Sequence, residues 1–262
     1  MNTLVFDIET IPDIEGGRRI YELGDLDADG IAKAMSHLRF QKAGTEFLPH
    51  HLQRIVAISV TFRGRNDEFK VWSLGDEQAS EKELIQRFFD GIEKYSPTLV
   101  SWNGGGFDLP VLHYRAMIHK ISAPRYWELG EEDTSFKYNN YISRYHLRHT
   151  DLMDLLALYT GRANAPLDEL STLMGFPGKM GMDGSKVWDA YQAGNIADIR
   201  HYCETDVLNT WLVYLRFQLM RGQIGLTKYN AECDLVRKYL KASGKDYLVE
   251  FEKAWLLDAE GH

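Results

Sequence analysis

Asp7 and Glu9 stand two positions apart in the run Leu4-Val5-Phe6-Asp7-Ile8-Glu9-Thr10, which is otherwise almost wholly apolar. On a strand, residues i and i+2 point to the same face, so the two carboxylates project together. Like charges brought that close and buried repel unless something positive lies between them. Mg²⁺ and Mn²⁺ are hard cations that take oxygen ligands from Asp and Glu. The opening of the chain therefore reads as half of a metal site. Tyr202 and Asp206 supply a second pair, four positions apart, in a segment whose apolar residues (Ile199, Cys203, Val207, Trp211) recur at helical spacing. Positions i and i+4 share a helix face, so a phenol and a carboxylate aim at one point. Asp108 follows Gly104, Gly105 and Gly106 and precedes Leu109-Pro110. This position suits a helix cap, because proline is tolerated in the first turn, and glycines let the backbone approach a ligand.

These groups need elements to carry them. A strand is expected over Thr3 to Ile8, followed by a polar insertion around 12–51 with a short helix near Ile31 to Leu38. Arg54 to Phe62 and Glu68 to Leu74 read as two strands joined through Gly64-Arg65-Asn66-Asp67, a hairpin signal. Ser80 to Tyr95 has helical periodicity, with Ser80 and Glu83 as a capping box. Thr98 to Trp102 is a fourth strand, and His149-Thr150-Asp151 begins a fifth element leading into a helix through Leu158. The last functional helix starts after Asn195, an N-cap residue with Asp198 in the first turn. A hairpin followed by alternating helices and strands implies an α/β chain with a mixed five-stranded sheet flanked by helices. One domain over 1–262 is expected, carrying an extra helical C-terminal segment from about 223.

Three motifs in this order resemble the 3′→5′ exonucleases of the DEDD superfamily, in the subgroup that bears a tyrosine. The chain is most similar there to the proofreading exonuclease domain of B-family DNA polymerases. Phe-Asp-Ile-Glu-Thr matches at Phe6, Asp7, Ile8, Glu9 and Thr10; Asn-x-x-x-Phe-Asp matches at Asn103, Phe107 and Asp108; Tyr-x-x-x-Asp matches at Tyr202 and Asp206. Each alone recurs by chance, whereas the ordered set on fitting elements is specific. The match runs from Met1 to about Arg216 and leaves the C-terminal segment outside.

The resemblance implies a ribonuclease H-like fold and a two-metal 3′→5′ exodeoxyribonuclease. Asp7, Glu9, Asp108 and Asp206 would hold two divalent cations, Mg²⁺ or Mn²⁺, and Tyr202 would orient the attacking water. Thr10, Asn103 and Phe107 would line the path of single-stranded or frayed DNA 3′ ends, with nucleoside 5′-monophosphates as products. A separate polymerase or DNA repair partner fits such an enzyme. An RNase D-like exoribonuclease shares the same catalytic set, so RNA stays open as substrate. An inactive nucleic-acid-binding relative would have lost ligands, and here all are present.

Composition narrows the reading further. A net charge of -8 argues against a broad basic face for duplex DNA, so nucleic acid must be held locally. Cys203 and Cys233 lie in apolar helical patterns, as suits a reducing cytoplasm rather than a disulfide framework. No apolar run approaches a membrane span. Gly175 to Gly184 lacks the spacing of a P-loop and is read as a mobile loop near the DNA path, with Lys179 touching phosphate. Gly104 to Gly106 lacks the third glycine of a dinucleotide fingerprint. Between Pro124 and His149, aromatic and arginine residues interleave in a way that suits either base stacking or packing onto the body. Asp151 is expected to cap a helix or support the site by hydrogen bond. His201 competes with Tyr202, because a sister subgroup places a histidine five residues before its last aspartate; helical phase favours Tyr202.

Overall fold

β1 (Thr3–Pro12) feeds two cores at once. Leu4, Phe6 and Ile8 enter a cluster with Ile85, Phe88 and Leu112, whereas Val5 enters another with Val207, Leu208 and Leu212. A strand buried on both faces must be apolar at every position that lacks another job. That is why two carboxylates in it stand out. The structure, a computed structural model, describes residues 2–259.

β2 (Gln53–Arg63), β3 (Phe69–Ser73), β4 (Thr98–Ser101) and β5 (His149–Asp151) complete one sheet of order β3-β2-β1-β4-β5. β2 runs antiparallel to β1 and β3, while β1, β4 and β5 are parallel. This is the mixed, ribonuclease H-like α/β sheet expected from the sequence. α3 (Glu81–Tyr95) and α4 (Asp108–His119) cover one face. α8 (Ile196–Met220), α9 (Leu226–Ala242) and α10 (Asp246–Ala259) pack as a layer on the other. Three short helices, α5 (Leu152–Leu156), α6 (Leu167–Leu173) and α7 (Val187–Gln192), lie between β5 and α8. Among the described residues no helix is long and apolar enough to cross a membrane.

The insertion differs from expectation. It holds two helices, α1 (Ile14–Tyr21) and α2 (Ala28–Ala43), where one short helix was read. Asp13 and Asp27 cap them, accepting from the backbone N–H of Gly16 at 3.1 Å and of Gly30 at 2.7 Å. Gly17 is a packing point: a Cβ there would come within 2.2 Å of Met35 Sδ on α2. The segment between Pro124 and His149 divides. Tyr126, Phe136 and Tyr141 are buried, with the Arg148 guanidinium 3.8 Å from the Phe136 ring centre, while Trp127, Tyr138 and Tyr145 stay exposed.

Candidate active site

Asp7 and Glu9 leave β1 on the side facing α8, at the end of the sheet where the parallel strands finish. The β1/β2 register shifts between Glu9 and Thr10, a bulge of the kind that re-aims side chains beside functional sites. Ligand atoms of Asp7, Glu9 and Cys203 all lie within 4.8 Å of one another. Cys203 sits between Tyr202 and Asp206 in sequence and points its Sγ at Asp7, 3.5 Å from the carbonyl and 3.6 Å from Oδ2. The helical phase of α8 sets the Tyr202 phenol beside the Asp206 carboxylate, whose charge helps to raise it. Asn195 occupies the N-cap position of α8 as expected, without a side-chain capping bond.

Asp108 arrives from the opposite face of the sheet, and in a different role from the helix cap read in the sequence. It is the first residue of α4, and Phe107 takes the cap position. Its Oδ1 accepts the backbone N–H of Ile8 at 3.1 Å, which fastens α4 to β1 between the two β1 carboxylates. The turn that delivers it is tight. Asn103 adopts φ 62°, Phe107 N donates to Asn103 O at 2.9 Å, and a Cβ on Gly104 would lie 2.3 Å from Ser101 Oγ. Asp151, read as a cap or a supporting group, is both. Its carboxylate accepts from the N–H groups of Met153 and Asp154 at the start of α5, and from Asn103 at 3.0 Å and Gly105 at 2.8 Å.

Glu9 and Asp108 are buried and Asp7 and Asp206 half-buried, and among the described residues none of the four has a neutralising ion pair. Desolvation pushes Asp7 and Glu9 well above the ordinary carboxylate range, with the Asp108 charge adding to Asp7 and the Asp7 charge to Glu9. Burial raises Asp108 to about 7. Burial, then the Asp7 charge, raises Asp206 to about 8. Burial and the surrounding carboxylates push the Tyr202 phenol far above its usual value, so it stays protonated at neutral pH. Lys179 is the cation whose field counters Glu9 and Asp206. It is brought there by the 175–184 loop, which α8 itself holds: Asn209 Nδ2 donates to Gly178 O at 2.7 Å, and Gly178 N returns a bond to Asn209 Oδ1 at 3.2 Å. Clustered hard oxygen donors that resist ionisation without a counter-charge are what a divalent cation fits.

The remaining sequence candidates fall nearby or elsewhere. Thr10 donates to Gln53 Oε1 at 3.0 Å, and Phe107 lies half-buried between the rings of Phe47 and His50. His201 is turned away from the Tyr202–Asp206 pair and stacks on Tyr247 of α10, ring centres 3.9 Å apart. Cys203 and Asn209 escaped sequence reasoning, since each reads as one more position in an apolar helix.

Comparison with known proteins adds an independent line. A family profile described as "Predicted 3'-5' exonuclease related to the exonuclease domain of PolB" matches residues 45–255. It therefore takes in Asp108, Tyr202 and Asp206 and the C-terminal helices to 255, further than the sequence motifs alone reached, and begins after Asp7 and Glu9. DNA polymerase 1 of Sulfurisphaera ohwakuensis is 53% identical over 38 residues, 14% of this chain and 4% of that protein. The family B DNA polymerase from Pyrobaculum calidifontis aligns in structure with a TM-score of 0.48 and 18% identity, over 84% of this chain and 24% of that one. The chain thus spans only a small part of either polymerase.

Proposed function

The chain belongs to the family of predicted 3′-5′ exonucleases related to the exonuclease domain of PolB, and from that premise we propose that it hydrolyses the 3′-terminal phosphodiester of single-stranded or frayed DNA, releasing nucleoside 5′-monophosphates. The observation that supports this reading is that Asp7, Glu9, Asp108 and Asp206 come from β1, α4 and α8 close enough to raise one another, at least half-buried and without a paired cation. These residues would hold two Mg²⁺ or Mn²⁺ ions. When bound, such ions stabilise charge on the phosphoryl oxygens and acidify the attacking water.

The chain's own groups supply the rest. The Tyr202 hydroxyl remains protonated and orients the water as a hydrogen-bond donor or acceptor rather than as a base. Lys179, close enough to act on Glu9 and Asp206, meets a phosphate of the incoming strand. Thr10, Asn103 and Phe107 line the approach of the unpaired end. With a net charge of -8 the chain relies on these local contacts, so a frayed end is favoured over intact duplex. A polymerase or repair enzyme acting separately would present such ends, in the reducing cytoplasm that suits free, buried Cys203 and Cys233. The insertion and the C-terminal helices are proposed to form one domain with the sheet, in keeping with the shared core of α8, α9 and α10.

The test is a time course with 5′-labelled single-stranded DNA and RNA of one sequence, with Mg²⁺ or Mn²⁺. A ladder shortening from the 3′ end on DNA is expected. Equal cutting of a 3′-blocked strand removes the polarity, and faster cutting of RNA moves the substrate class to an RNase D-like exoribonuclease.

A further inference from the structure

Phe47 lies on the loop between α2 and β2, and 59% of its surface is exposed. Arg39 Nε donates to Phe47 O at 3.2 Å. One residue on, Leu48 is buried and its carbonyl accepts from Gln53 Nε2 at 3.0 Å, while Gln53 Oε1 accepts from Thr10 Oγ1. Two residues further, His50 Nε2 shares a 2.9 Å hydrogen bond with Gly106 O, in the turn that delivers Asp108. The loop is thus tied to two of the three motifs that build the candidate active site. Above these ties the rings of Phe47 and His50 each stand 5.6 Å from that of Phe107.

A large aromatic left in water forgoes the stabilisation that burial would bring. Here it lies against Phe107, the neighbour in sequence of Asp108 in the carboxylate cluster. Unpaired nucleobases stack on such rings whatever their sequence, and they do so without the basic surface this acidic chain lacks. We propose that Phe47, with Phe107 and His50, forms a stacking platform for the unpaired bases next to the scissile 3′ end, so that the end of the insertion is part of the substrate site. The proposal rests on the exonuclease reading and adds a base-binding role for a residue outside the three motifs.

The experiment uses the full chain with Ca²⁺ in place of Mg²⁺, and a short single-stranded DNA carrying 2-aminopurine at one of its last three 3′ positions. Binding is read by anisotropy and stacking by quenching of the 2-aminopurine. Phe47→Ala is expected to weaken binding about tenfold, within the range for loss of one base–aromatic stack. It should also remove the quenching at one position, while Phe47→Tyr retains both. A strand abasic at that position should bind wild type and Phe47→Ala alike, which ties the loss to that base. The melting temperature of Phe47→Ala should match wild type, because the side chain is exposed. Unchanged quenching and affinity in Phe47→Ala overturn the platform while leaving the exonuclease reading intact. A wild-type chain that neither binds nor cuts single strands overturns both.

Discussion

Among the described residues, two partly buried acidic clusters are built in opposite ways. In the first, Glu81 accepts from Ile55 N at 2.8 Å, from Arg115 Nε and Nη2 at 2.7 and 2.6 Å, and bonds His119 Nε2 at 2.7 Å. Asp13 takes the other end of the same guanidinium at 2.5 Å. Every charge there has a partner, and the cluster locks the end of β1 and the cap of α1 to α3 and α4. In the second, Asp7, Glu9, Asp108 and Asp206 face one another, and burial drives all of them toward the protonated form. One cluster contributes to the fold. The other has no such partner, and the proposed divalent cations would supply one.

Removing a ligand should separate the clusters most sharply. Asp7→Ala or Asp206→Ala is expected to lower nuclease turnover by at least about 10²–10³ while circular dichroism and thermal unfolding stay near wild type. Full hydrolysis by folded Asp7→Ala in EDTA would refute the catalytic reading. Arg115→Met should do the reverse. It strands Glu81 and Asp13 without their cation and should cost about 3–5 kcal/mol in urea unfolding. A stable Arg115→Met protein would show that the first cluster is not structural.

The response to pH follows from the same contrast. Asp108 and Asp206 hold their protons more tightly folded than unfolded, so without metal the folded chain is favoured below the ordinary carboxylate value near 3.8. That contribution is lost as pH rises through about 7 for Asp108 and about 8 for Asp206. Scanning calorimetry of the metal-free protein should therefore show a melting temperature falling by roughly 5 °C between pH 5.5 and 8.5, and Asp206→Asn should flatten the fall. Mn²⁺ should raise the melting temperature more at pH 8 than at pH 6, because the ion competes with protons for the same oxygens. A pH-independent metal shift would break the link between protonation and binding.

The smallest effect concerns the two neighbours on α8. Tyr202→Phe should lower turnover about tenfold and leave single-strand binding unchanged, since one hydrogen bond to the water is lost. His201→Ala should change turnover little, its ring being engaged with Tyr247. A crippled His201→Ala beside a healthy Tyr202→Phe would reverse the assignment.

Elements with strong periodicity were legible in advance. α3 begins one residue after its Ser80 cap, which accepts from Glu83 N, and α8 begins at Ile196 as its spacing requires. The insertion was less legible, because only the approach of Met35 shows Gly17 to be a contact between helices. Asp108 reads as a helix cap in the sequence, yet it is the first residue of α4, and its partner, the N–H of Ile8, is a hundred positions away. The aromatic stretch before β5 could not be divided into packing and exposed rings without the sheet edge it covers.

The sequence by itself determined the side-chain types and their local aim: Asp7 with Glu9 by the two-residue period of a strand, and Tyr202 with Asp206 by one turn of helix. Such rules act over a few residues, where backbone geometry alone fixes direction. Tertiary structure decided which acids lack a counter-charge. Arg115 reaches Glu81 across 34 positions and Asp13 across 102, and nothing local reserves it for them. Cys203 against Asp7, Lys179 near Glu9, and His201 turned to Tyr247 were settled the same way. Desolvation and Coulomb energy depend on what surrounds a group in space, and that is fixed only when the sheet and its two helical layers close around it.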